Sequence, residues 1–305
     1  MTAKSIRSLH RVFGKSVGRV TPRWLVEKYR HWTTDVYVVS FPKSGRTWFR
    51  TMLGTALQLE SGRRDVDPTS VHHLWMFDAG VPRFVFTHDI NAHLADTRSV
   101  RWDGRRYLKK KTILLVRDPR DTIVSLYFEM TRRVGAYEGT ISDFIRQEKG
   151  GIASLVAFLN EWMGNLDRLG HGLLISYEDL HDRPIETMGE ALRFAGVVID
   201  PDIVARAIEL CSFEAMQSME RAGVVQHVRL RPGDVNDPES FKVRSGKVGG
   251  YRNHLTTEDC AFIDKYITDN IGEALARYRW IEPDISIETM GSSTKSAEIS
   301  TAKIS

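Results

Sequence analysis

A chain of 305 residues is long enough to bury one large core or two smaller ones. Its 27% charged and 42% hydrophobic content is that of a soluble globular protein, and a net charge of +4 is too modest to imply nucleic acid while suiting anionic ligands. No apolar run approaches the ~20 residues of a membrane span, no signal-peptide core follows Met1, and the only two cysteines, Cys211 and Cys260, argue for a reducing, cytoplasmic compartment over a disulfide scaffold.

Residues 1–32 read as a basic extension. Lys4, Arg7, Arg11, Lys15, Arg19 and Arg23 precede the first acid, Glu27. Ile6, Leu9, Phe13 and Val17 share one helical face, and a basic amphipathic helix can lie on an anionic membrane. That face is narrow and interrupted by Gly14 and Gly18, so a solvated extension packed on the domain is the expectation.

Residues 36–39 are apolar and β-branched on both faces, as in a strand inside a parallel sheet. Pro42 ends the ladder, Ser44 and Gly45 turn, and Trp48, Met52, Leu53, Ala56 and Leu57 recur at helical spacing. Strand, tight turn and helix aim backbone N–H groups and a positive dipole end at an anion. Lys43, Ser44, Gly45, Arg46, Thr47 and Trp48 therefore read as a phosphate cradle. The spacing is not that of an ATP-binding loop, in which Lys follows the second Gly. An ordinary turn with a surface lysine is the plain alternative. The run F-P-K-S-G-R-T-W resembles the 5′-phosphosulfate loop of sulfotransferases that use 3′-phosphoadenosine 5′-phosphosulfate (PAPS).

Residues 61–73 read as a polar loop, in which His72 and His73 lack metal-ligand spacing. Residues 83–87 read as a second strand, ending at His88-Asp89, where open α/β sheets bind ligands. Thr87-His88 resembles the family's K-T-H element, which implies that His88 is the general base. Phe86 stands where many members have lysine. Residues 112–116 make another buried strand, closed by Arg117. Asp118 suits an N-cap and Pro119 the first helical position. Arg117 and Ser125, eight residues apart, resemble the family's 3′-phosphate motif.

A short helix is expected at 142–147 and a strong one from Ile152 to Leu166, ended by Gly170. Residues 173–176 make a fourth strand. Tyr177 follows, in a Y-E-D that resembles the family's adenine contact. Residues 182–195 and 201–211 read as helices, and Phe213 resembles another adenine neighbour. Residues 230–252 form a long polar segment. Within it Arg244, Ser245 and Gly246 resemble the family's R-K-G, with Ser in place of Lys. Residues 257–279 read as a last helix, and residues 281–305 as a disordered tail.

The resemblance spans about residues 36–256. It implies a single P-loop-NTPase-like α/β domain at 33–280, in three layers around a parallel sheet of four to five strands. It implies PAPS as co-substrate, 3′,5′-adenosine bisphosphate (PAP) as product, and no metal. His88, Lys43 and Ser125 would be catalytic, with Ser125 bonding Lys43 before substrate arrives. The acceptor would be a small-molecule, lipid or carbohydrate hydroxyl or amine. Trp75, Met76, Phe77 and Tyr137 hint at an apolar acceptor wall; His93, Arg98 and Arg101 hint at a polar one. A homodimer stays open. A P-loop kinase, which would need Mg²⁺ on an acid such as Asp89 or Asp118, and a non-catalytic nucleotide binder are the competing readings.

Overall fold

The apolar runs become four strands: β1 (Val36–Ser40), β2 (Phe84–Thr87), β3 (Lys111–Val116) and β4 (Gly172–Ser176). The computed structural model describes residues 22–63, 67–76, 78, 80–89, 91–223 and 230–278. The strands form one parallel sheet in the order β2-β1-β3-β4, with Val38 opposite both Phe86 and Ile113. Every residue of β1 is buried, as a central strand covered on both faces must be.

Alternation of side chains divides the core. Tyr37, Val39, Leu114 and Val116 face one layer, with α3 (Pro119–Phe128), α5 (Ile152–Leu166) and α10 (Thr257–Asn270) above them. Val36, Val38, Phe84, Ile113 and Leu115 face the other, against α2 (Arg46–Ser61) and α7 (Pro184–Ala195). This is a three-layer α/β domain. Because the strands are parallel, Ser40, Thr87, Val116 and Ser176 end at one edge of the sheet. The loops that follow them build the site.

The first helix, α1 (Arg23–Thr33), runs across the expected boundary at residue 32. Lys110 ties it to the sheet by donating to the carbonyls of Trp32 (3.3 Å) and Thr34 (2.6 Å). Residues 1–21 and 279–305, which hold most of the basic extension and all of the expected tail, lie outside the described residues.

Two expectations need correction. Residues 61–73 are not simply a polar loop: Pro68–Met76 forms tight 3₁₀ turns that bury Val71, Leu74 and Trp75. The last helix stops at Asn270 instead of reaching 279. Asn160, on α5, holds that end by donating to the Asn270 carbonyl (2.7 Å) and accepting from Gly272 N–H (2.8 Å). A separate turn, Glu273–Tyr278, then packs Leu275 and Tyr278 inward. Tyr177 and Phe213 each open a helix. These are α6 (Tyr177–Asp182), capped by Ser176, and α9 (Phe213–Ala222), capped by Ser212. The short helix expected at 142–147 is α4 (Ile141–Arg146), and the helix at 201–211 is α8 (Pro201–Leu210).

Candidate active site

At the carboxyl edge of the sheet lies a cavity of about 670 Å³. It brings together Lys43, Gly45, Arg46, Thr47, Trp48, His88, Arg117, Ser125, Tyr177, Phe213, Arg244, Ser245 and Gly246. Ser44 alone of the expected site residues is not on its wall; it is buried beneath the loop.

The cradle is formed by backbone shape. Lys43 and Gly45 both have positive φ, 72° and 83°. The value at Lys43 is strained for a residue with a side chain. Gly45 is required twice, by its φ and by the Tyr177 ring, which an added Cβ would meet at 2.5 Å. Gly45 caps α2 without any side-chain bond, and the first turn holds no acid. The N–H groups there are left for a ligand, with the positive dipole end behind them. Trp48 is fixed by donating to the Cys211 carbonyl (2.9 Å) and packs 5.5 Å from Tyr177.

His88 lies beside the cradle in one tautomer. Its Nδ1–H donates to the Ser40 carbonyl (2.9 Å), which leaves the Nε2 lone pair facing the cavity. Arg46 Nη2 donates to that lone pair at 2.5 Å. Burial, and then the Arg46 charge, depress the imidazole pKa to about 2, so His88 is neutral.

The other end of the cavity carries Arg117 and Arg244. Arg117 lies over the Tyr177 ring (4.3 Å) and donates to the carbonyls of Lys43 (3.4 Å) and Lys247 (3.1 Å). Its Nε–H is buried with no partner, an orphan donor that an anionic oxygen would satisfy. Arg244 pairs with Glu239 (3.0 Å) and bonds His254 (3.0 Å). Gly246, at φ 63°, abuts the Phe213 ring so closely that a Cβ would overlap it. Asp121 fastens this loop to α3, accepting from the N–H groups of Gly249 (2.8 Å) and Tyr251 (2.9 Å).

A sulfotransferase domain model matches residues 33–278. The chain belongs to the sulfotransferase domain family. Among curated relatives, it is 23% identical to flavonol 3-sulfotransferase of Flaveria bidentis, across 78% of this chain and 82% of the relative. It is 24% identical to sulfotransferase 1B1 of Mus musculus, across 76% and 80%. The solved structure of mouse sulfotransferase SULT7A1 complexed with PAP is similar in fold. Its TM-score is 0.56 at 19% identity, covering 79% of this chain and 86% of that one. Retinol dehydratase in complex with androsterone and inactive cofactor PAP gives 0.55 at 19% identity, covering 79% and 81%.

In this sulfotransferase the free-state partner of Lys43 differs from expectation. Lys43 Nζ donates to Glu129 Oε2 at 2.8 Å, not to Ser125. Glu129 follows Ser125 by one turn, where α3 widens into a π turn (Glu129–Arg133), and a carboxylate outcompetes a hydroxyl for an ammonium. Lys242 (3.0 Å) and Arg133 (2.7 Å) share the other oxygen, Oε1. Burial alone would raise the Glu129 pKa, but these cations together hold it well below the usual carboxylate range. Burial lowers the Lys43 pKa against the pull of Glu129. Burial and then Lys43 bring Lys242 down to about 7.

Glu129, Lys242 and Asp121 are the residues that sequence reasoning missed. Only Glu129 left a signal, its i+4 spacing from Ser125 on one helix face.

The acceptor wall is also corrected. Trp75 is buried in the core against Arg83, and Arg98 and Arg101 pair at the surface with Asp96 and Glu161. Phe77 lies outside the described residues, and neither Met76 nor Tyr137 lines the cavity. Leu94, Leu126, Met130, Val134 and Ala136 form its apolar side, with His93 as the polar neighbour.

The acids considered for a metal are committed elsewhere. Asp89 accepts from the Tyr107 hydroxyl (2.5 Å), and Asp118 caps α3 and pairs with Arg120. Among the described residues no cluster of metal-ligating side chains occurs, and no helix is long and apolar enough to cross a membrane.

Proposed function

We propose that this sulfotransferase moves the sulfuryl group of PAPS to a hydroxyl or amine of a largely apolar small-molecule acceptor, releasing PAP. One observation carries the reading. A neutral His88 presents Nε2 to the same cavity in which an uncapped helix start and Lys43 wait for an anion.

The residues fit the nucleotide along the length of the cavity. The orphan Nε–H of Arg117, with Arg244 and the Ser125 hydroxyl, suits a 3′-phosphate. Tyr177, Trp48 and Phe213 offer ring faces for the base. Lys43 and the N–H groups at Arg46 to Trp48 suit the phosphosulfate, and they meet the negative charge that grows on the leaving phosphate.

The acceptor oxygen or nitrogen attacks sulfur, the bond from sulfur to the bridging oxygen breaks, and its electrons pass to the phosphate. The acceptor proton passes to Nε2 of His88. That transfer requires Arg46 to leave Nε2 first. An anion beside the cradle offers Arg46 a stronger partner and offsets the Arg46 charge that, after burial, depresses His88. Both changes turn His88 into a competent base only once the donor is in place.

The apolar wall of Leu94, Leu126, Met130, Val134 and Ala136 supports an acceptor with a hydrophobic body. Two unpaired cysteines suit a reducing compartment such as the cytoplasm.

Calorimetric titration with PAP, 5′-AMP and ATP, each with and without Mg²⁺, tests the nucleotide assignment. Metal-independent preference for PAP, abolished in Arg117→Ala, is the expected outcome. A preference for ATP with Mg²⁺ that ignores the 3′-phosphate would overturn it.

A further inference from the structure

Lys242 itself carries no sequence signal, yet the fold aims it into the cavity. Glu220, itself 1% exposed, accepts from the backbone N–H groups of Lys242 (2.6 Å) and Val243 (2.9 Å). This fixes the chain so that the Lys242 side chain, about one-fifth exposed at 21%, meets Lys43 across one carboxylate. Lys242 Nζ holds Glu129 Oε1 while Lys43 Nζ holds Oε2. With Arg133 also on Oε1, three cations surround one acid.

Each ammonium has three N–H donors, and the structure gives each one partner, Glu129. Removing an ion from water is costly, and only good pairing offsets the cost. A surplus of buried positive charge on a cavity wall is therefore built for an anionic group. Arg117 and Arg244 serve the far end, where Asp121 and Glu239 accompany them. Lys242 belongs to the Lys43 end, and it is close enough to His88 to help depress its pKa. The position between Lys43 and His88 is where the transferring group must sit during in-line attack.

We propose that Lys242 is a second catalytic lysine, whose ammonium binds the sulfuryl oxygens while Lys43 binds the phosphate side of the bridge. The assignment rests on the sulfuryl-transfer reading above. Lys242 keeps its proton throughout; the acceptor proton goes to His88 and the bridging electrons to the phosphate. Lys242 orients the sulfuryl group for in-line attack and balances the negative charge its oxygens already carry, while the electrons of the breaking bond go to the phosphate at Lys43. Burial and then Lys43 bring the Lys242 pKa down to about 7, and a sulfuryl anion beside it favours the charged form that it keeps.

Calorimetry with PAPS and with PAP separates this role from a structural one, because only PAPS carries the sulfuryl group. Lys242→Met is expected to weaken PAPS binding tenfold or more and PAP binding less than threefold. Sulfate release from saturating PAPS in water should fall by at least tenfold. Lys242→Arg should recover most of the preference for PAPS, and Lys43→Met should weaken both ligands. Equal loss of PAPS and PAP in Lys242→Met, with Lys242→Arg no better, overturns the assignment, as does unchanged sulfate release. If the wild-type protein binds PAP and PAPS but Lys242→Met behaves identically, only the Lys242 role fails. If the wild-type protein binds neither, the sulfuryl-transfer reading fails and takes this role with it.

Discussion

At the scale of single residues, the contact that governs this site is Arg46 on His88. A histidine that accepts a charged hydrogen bond at Nε2 and donates from Nδ1 has no free site for a proton. Arg46→Gln removes the positive neighbour but leaves the burial. The His88 pKa is therefore expected to rise from about 2 while staying below its ordinary 6.5. Imidazole NMR titration reads this directly, and an unshifted His88 would show that burial alone sets the value. His88→Ala leaves the nucleotide contacts in place and removes the proton acceptor. Turnover should drop by about 10²–10⁴-fold with PAP affinity unchanged within a few-fold. Kinetics at saturating PAPS beside PAP calorimetry check both parts, and full turnover in His88→Ala would remove the base assignment.

At the scale of elements, two loops depend on backbone shapes that tolerate no side chain. Gly45→Ala must adopt a left-handed φ of 83° and must displace the Tyr177 ring. Both effects distort the cradle where the phosphosulfate would lie, so PAP binding should fall at least tenfold while the fold persists by circular dichroism. The second loop is held by Asp121, whose side chain is 2% exposed. Asp121→Ala leaves two backbone N–H groups without their charged acceptor, a cost of about 2–3 kcal/mol. The loss should appear as faster proteolysis within residues 244–253, with PAP weakening in step. If the loop stays protected, Asp121 is not what closes it.

At the scale of the whole molecule, burial of His88 couples the site to acid stability. The folded pKa is about 2 and the unfolded value about 6.5, so below 6.5 the unfolded chain binds a proton that the native state refuses. Stability is therefore fully present above about pH 6.5 and declines as pH falls toward about 2. The melting temperature of the wild type should drop between about pH 7 and pH 5, and that drop should be shallower in His88→Gln. Equal slopes would mean that His88 titrates normally in the native protein. The same burial is a product of the three-layer fold, in which helices cover both faces and leave the carboxyl edge of the sheet as the place where polar groups converge.

Local patterns alone were enough to read the four strands and the strand–turn–helix unit around Lys43 to Trp48. A buried parallel strand needs a run of apolar residues, and a turn into a helix needs Gly and a break in the ladder; both requirements are met by neighbours in the chain. The sulfotransferase reading followed from those local blocks, and the family match over residues 33–278 bears it out. The ending of the last helix did not follow, because Asn160, 110 residues from Asn270, closes it. Nor did the partner of Lys43. Glu129 lies 86 residues from Lys43 and 113 from Lys242, and only the folded chain puts both ammoniums on its carboxylate. Periodicity reports which face of an element is buried. It carries no information about which distant charges meet once water is excluded, and in this site those meetings set the state of the acid, the lysines and the histidine.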